Sequence, residues 1–186
     1  MTPFPSLVEA AGRGASLQAL AASAPGAAPV AIAPLPSTRA AEPFERLRDA
    51  SDEVLARSGV RPSVFLATLG PIAAFTARAT FARNLFEAGG IAAILDDGYA
   101  DPDAMVAAYR HSGARLACLC SSDEVYREQA TAAASRLVEA GCRRLFLAGR
   151  PGDLEPALRE AGVDTFVYLG CDVAAILSEA LAAATP

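Results

Sequence analysis

One stretch of the chain, residues 63–95, constrains the fold more than any other. It reads as an apolar run SVFLAT, a loop LGPIAAF, a helical TARATFARNLFEA, and, after Gly-Gly, a second apolar run IAAIL. This pattern predicts two parallel strands joined by a helix. In open α/β folds, ligands bind beyond the carboxyl ends of the strands. The loop Leu69–Phe75 is therefore where a binding site is expected.

The alternation of strand and helix continues to the end of the chain. Glycine follows each of four predicted helices, where a left-handed residue ends a helix well: Gly89, Gly113, Gly141 and Gly162. The predicted strands are apolar throughout, which is typical of a parallel sheet covered on both faces: Ser63–Thr68, Ile91–Leu95, Arg115–Cys120, Arg143–Ala148 and Asp164–Leu169. The sequence therefore predicts an α/β fold with a doubly wound, five-stranded parallel sheet in the flavodoxin-like (Rossmann-like) order 2-1-3-4-5.

The amino-terminal third has a different character. We predict that residues 1–60 form short helices and a Pro/Ala-rich linker, and that residues 61–186 form the α/β domain. Residues 5–22 read as one or two helices broken by Gly12-Arg13-Gly14. Five prolines in residues 24–43 exclude a continuous helix and favour an extended strap that docks on a surface. A further helix begins at Glu42 and ends at Gly59.

Composition and charge exclude several classes of function. The net charge is −5 with no cluster of Lys and Arg, which argues against a nucleic-acid surface. No signal-peptide pattern and no apolar run of roughly 20 residues is present, so we expect a cytoplasmic protein with no membrane contact. All four cysteines fall in or beside predicted strands, which favours reduced, packed thiols.

The loop at the expected site has almost no side chains with reactive or ligand-binding groups. Between Ala67 and Thr76 there is no carboxylate, imidazole, thiol or amine, and only Thr68 and Thr76 offer a hydroxyl group. One Gly and one Pro make a poor phosphate cradle, and the G-x-G-x-x-G fingerprint is absent. These residues indicate a ligand-binding fold that has lost its ligand chemistry.

Catalytic and metal-binding residues are also missing from the predicted site. The only histidine, His111, ends the helix before the third strand and so lies at the opposite, amino edge of the sheet. Cys120 lies at the carboxyl edge, but no general base accompanies it. Asp96-Asp97-Gly98 is interpreted as a polar turn rather than a ribose or metal site. The C-x-C of Cys118 and Cys120 does not have the spacing of a metal site. We therefore expect no catalytic residue and no metal site.

The segment RPSVFLATLGPIAAFTARATFARNLFEAGGIAAI closely resembles the start of the carboxyl-terminal, cobalamin-binding-type domain in the small, non-catalytic subunit of methylmalonyl-CoA mutase. The resemblance extends back through PVAIAPLPSTRAAEPFERLRDA, which is similar to the linker of that subunit, and forward to the end of the chain.

The resemblance implies a domain that supports a catalytic large subunit in the isomerisation of (R)-methylmalonyl-CoA and succinyl-CoA. Adenosylcobalamin would be bound by that large subunit and not by this chain. The implied partners are the large subunit, in a heterodimer, or the missing amino-terminal barrel of the small subunit. A barrel of roughly 250 residues does not fit in this chain, so acyl-CoA binding is not expected here.

The resemblance also shows where this sequence departs from the cobalamin-binding pattern. Catalytic members carry D-x-H-x-x-G in the first loop, in which the histidine is the lower axial ligand of cobalt and the aspartate orients it. The corresponding residues here are Ile72, Ala74 and Ala77. None of them matches the motif, so the cobalt ligand is lost.

Two other loops carry larger side chains than the family pattern does. Ser121-Ser122 resembles a serine pair of the family, but Glu124, Val125 and Tyr126 replace glycines that would let the nucleotide tail pass. After the fourth strand the family's Gly-Gly is Gly149-Arg150, and we expect the arginine side chain to fill part of the slot. The predicted lining of this degenerate crevice is Gly70, Ala74, Thr76, Ser121, Ser122 and Gly149.

Two other functions stay open at this stage. The crevice could bind a corrinoid without histidine ligation. Alternatively, the chain could be an unrelated, small-molecule-binding flavodoxin-like domain that uses Cys120, Asp96 or Arg150. Binding of cobalamin followed in the visible spectrum separates the first of these from an empty scaffold.

Overall fold

The computed structural model describes residues 4–23, 33–35, 37, 39–99 and 101–185. The chain divides into two compact units, Met1–Thr38 and Arg39–Pro186. The first unit contains helix α1 (Phe4–Gly12) and helix α2 (Leu17–Ser23), separated by a turn where Gly12-Arg13-Gly14 predicted one. Neither helix has a buried residue. Of the strap predicted over residues 24–43, residues 24–32, 36 and 38 lie outside the described part of the chain.

The second unit is built on a five-stranded parallel sheet. Its strands are β1 (Ser63–Thr68), β2 (Ala92–Ile94), β3 (Leu116–Cys120), β4 (Arg144–Ala148) and β5 (Thr165–Val167). The strand order is β2-β1-β3-β4-β5, which confirms the predicted fold class and topology. The two edge strands are shorter than predicted. In the central pair, Thr68 lies opposite Cys120, so β1 and β3 end at the same level.

Helices cover both faces of this sheet. They are α3 (Glu42–Ser58), α4 (Ile72–Ala88), α5 (Pro102–Ser112), α6 (Asp123–Val125), α7 (Thr131–Glu139), α8 (Glu155–Glu160) and α9 (Val173–Ala184). A π-helical turn, Tyr126–Ala130, joins α6 to α7, and a 3₁₀ turn, Gly152–Leu154, precedes α8. None of the described helices is both long enough and apolar enough to span a membrane.

The alternation of side chains along β1 divides the core into two layers. Val64 and Leu66 face α4 and α9, in a layer where the rings of Phe86 and Phe146 meet edge to face at 5.1 Å. Phe65 and Ala67 face the layer formed with α5, α7 and α8. Because the central strands are covered on both sides, their inner residues are apolar at successive positions rather than at every second one.

Helix α3 joins the sheet through a polar contact in an otherwise apolar interface. Ser51 is fully buried, and its hydroxyl group donates to the carbonyl of Gly90 at 2.7 Å. Arg61 donates in turn to the Ser51 hydroxyl at 3.1 Å. This helix therefore packs within the second unit, Arg39–Pro186.

The turn between α4 and β2 differs in one detail from the prediction. Gly89 has a φ of −94°, so it is not the left-handed residue that the pattern predicted. Gly90 takes that conformation instead, with a φ of +81°. A Cβ atom on Gly90 would lie 2.9 Å from the Cβ of Ser51 and 3.2 Å from the Cα of Arg48. Glycine is therefore required here for both conformation and space.

We expect Gly90→Ala to destabilise the protein more than Gly113→Ala does. Both glycines have a positive φ, but a Cβ on Gly113 would meet no atom within 4 Å. Gly113→Ala should therefore cost only the conformational strain, about 1–2 kcal/mol. Gly90→Ala should cost about 1–3 kcal/mol more because α3 must move away. Urea unfolding of the two variants measures the difference, and equal losses would show that the contact with α3 is loose.

Candidate functional site

The loops that follow β1, β3 and β4 meet at the switch point of the sheet. These are residues 69–71, residues 121–122 and residues 149–151. This is the crevice in which a doubly wound sheet normally binds its ligand.

Ser121 joins the first two of these loops. It is fully buried, and its hydroxyl group donates to the carbonyl of Leu69 at 2.6 Å. The backbone N–H of Leu69 donates to the carbonyl of Cys120 at 3.1 Å. Both hydroxyl groups of the serine pair thus make hydrogen bonds within the protein, since that of Ser122 caps α6 by accepting from the backbone N–H of Val125 at 3.4 Å.

Tyr126 fills the space beneath these loops. Its side chain is 3% exposed, and its hydroxyl oxygen lies 2.9 Å from three backbone atoms, the nitrogen of Ser121 and the carbonyl oxygens of Leu119 and Ala148. The Ser121 N–H donates to this oxygen, and the phenolic hydrogen donates to one of the two carbonyls. Burial raises the pKa of Tyr126, so the hydroxyl group stays protonated and remains a donor.

Arg78 closes the crevice from the side of α4. Its guanidinium group donates to the carbonyl of Ser121 at 2.7 Å and to the carboxylate of Asp123 at 2.5 Å. The same group lies over the ring of Tyr126, with its central carbon 5.0 Å from the ring centroid. We call Arg78, Ser121, Asp123 and Tyr126 the crevice plug.

Two of the predicted lining residues are glycines that let the plug close. A Cβ atom on Gly70 would lie 3.2 Å from the Val125 side chain, and one on Gly149 would lie 3.0 Å from the Arg78 guanidinium. The arginine against Gly149 is therefore Arg78. Arg150, which we expected to fill this slot, instead lies over the ring of Tyr168 at 4.3 Å.

Ala74 and Thr76 lie in the first turns of α4 and take no part in the plug. The backbone N–H of Ala74 donates to the carbonyl of Pro71 at 2.8 Å, and its side chain is a methyl group that cannot ligate a metal. The Thr76 hydroxyl donates to the carbonyl of Ile72 at 2.6 Å, within its own helix. Of the six predicted lining residues, the structure brings together Gly70, Ser121, Ser122 and Gly149.

These residues do not fit a bound cobalamin. Position 74 offers no imidazole to the cobalt, and the space that the resemblance assigns to the nucleotide tail holds the buried ring of Tyr126 and the guanidinium group of Arg78. The chain therefore lacks both the imidazole for the cobalt and the space for the nucleotide tail.

The other chemically reactive side chains lie apart from the crevice or are sealed from it. His111 is exposed in the last turn of α5, at the amino edge of the sheet as expected. Cys118 and Cys120 are fully buried, and burial raises the pKa of Cys118 well above its usual range. Asp96 accepts from the backbone N–H of Asp97 at 2.8 Å, as in a polar turn. Among the described residues, no group of three or more His, Cys, Asp or Glu side chains could hold a metal ion.

Sequence reasoning identified Tyr126 as a bulky replacement but missed Arg78. A signal for Arg78 was available, because residues 74 and 78 are four positions apart and so lie on the same face of α4. That face is the one that a first-loop ligand would use. The position of Asp123, three residues after Cys120, offered the matching negative charge.

We expect Tyr126→Phe to lower the free energy of unfolding by about 1–3 kcal/mol, because the Ser121 N–H and the two carbonyl groups lose a shared partner in a buried site. Tyr168→Phe is the matched control. That ring is partly exposed and remains available to Arg150, so its loss should stay within about 0.5 kcal/mol. Denaturant unfolding measures both variants, and similar values for the two would contradict the role assigned to the Tyr126 hydroxyl.

Comparison with known proteins finds a consistent set of relatives. The chain is 49% identical over 147 residues to the methylmalonyl-CoA mutase small subunit of Streptomyces virginiae, a match that covers 79% of this chain and 23% of the relative. It is 40% identical over 149 residues to the probable methylmalonyl-CoA mutase small subunit of Mycobacterium bovis, covering 78% and 23%. It is 36% identical over 146 residues to the methylmalonyl-CoA mutase small subunit of Propionibacterium freudenreichii subsp. shermanii, covering 77% and 22%.

No protein-family model matches the chain. The chain spans less than a quarter of the length of the curated relatives named above. Over the matched residues, the identity is too high and too extensive for chance similarity between unrelated α/β sheets. In that part of its length, the chain is homologous to proteins named methylmalonyl-CoA mutase small subunit.

Proposed function

We propose that this chain is a non-catalytic, cobalamin-binding-like domain of a mutase small subunit. In this proposal it binds no cofactor, works in the cytoplasm and supports a catalytic large subunit that carries adenosylcobalamin. The large subunit would isomerise (R)-methylmalonyl-CoA and succinyl-CoA. The names of the relatives support the assignment to a small subunit, and such a subunit implies a larger partner.

The crevice plug is the observation that carries the proposal. A domain that had lost only the cobalt ligand would keep a cavity for the rest of the cofactor. Here the Tyr126 hydroxyl and the Arg78 guanidinium instead bind backbone groups of Ser121 and of the ends of β3 and β4. In this proposal, these contacts close the space between the loops after β1, β3 and β4, as expected of a scaffold.

Two exposed apolar side chains make this surface suitable for contact with another protein. Ile72, at the start of α4, is 61% exposed, and Leu169, after β5, is 88% exposed. Both follow the carboxyl ends of strands. A mutase subunit that covers this edge would remove apolar surface from water, which is the main source of free energy in protein association.

We expect the chain to co-elute with a purified mutase large subunit in size-exclusion chromatography at micromolar concentration. Ile72→Asp should weaken co-elution by placing a charge in the contact. Val60→Asp is the matched control, because Val60 is 69% exposed but precedes β1 and so lies at the opposite edge of the sheet. Separate elution of the unmodified chain, or equal effects of the two variants, would count against a contact through the carboxyl edge.

We also expect the chain not to retain adenosylcobalamin in equilibrium dialysis. Ala74→His should not retain it either, because it restores an imidazole while the crevice plug stays closed. Saturable retention by the unmodified chain at micromolar concentration would favour a corrinoid-binding domain without histidine ligation. Retention by Ala74→His alone would show that the missing imidazole, and not the plug, prevents binding.

A further inference from the structure

We draw no further inference here: the strongest candidate, the apolar groove between α4 and the carboxyl end of the edge strand β2, exposes Ile72 and Leu95 to solvent, but nothing in the structure shows what covers it.

Discussion

The structure depends on how the polar backbone groups at the carboxyl edge of its parallel sheet find hydrogen-bond partners within the protein. At the carboxyl ends of β3 and β4, one N–H and two carbonyl groups lie around the same buried point, and the Tyr126 hydroxyl is placed there. A buried N–H or carbonyl without a partner would cost about 1–3 kcal/mol. The Arg78 guanidinium then ties α4 to the loop after β3. These contacts hold the loop after β3 against the strand ends and α4.

The topology could be predicted because its signals are local. Apolar strands, capping residues and helix-terminating glycines each act within a few residues, and the strand order follows from the known handedness and packing of parallel units. The error at Gly89 shows the limit of this approach. Two adjacent glycines can both end a helix, and only the fit of α3 against Gly90 selects the second one.

The residues that close the site could be predicted only in part, since their partners are distant in sequence. Tyr126 stood out as a large side chain at a position where the family has glycine. Arg78 did not, because its partners Ser121 and Asp123 lie 43 and 45 positions further along the sequence. From the neighbouring residues alone, an arginine in this helix is typical of a solvent-exposed charge. Arg150 was assigned to the slot because it is next to Gly149, but cation–π contact with Tyr168 holds it elsewhere.

The π-helical turn has a consequence for how such a domain could diverge. One additional residue per turn rotates everything after it by about 100° relative to an ordinary α-helix. The turn begins with the buried Tyr126 and carries Glu128 and Gln129, which are exposed. A deletion of one residue after Tyr126 would leave that ring beneath the loops and would rotate the buried side of α7, which carries Ala133, Ala134 and Leu137, away from the sheet. A change of length in this one turn would therefore separate the closure of the loops from the packing of the helix that follows.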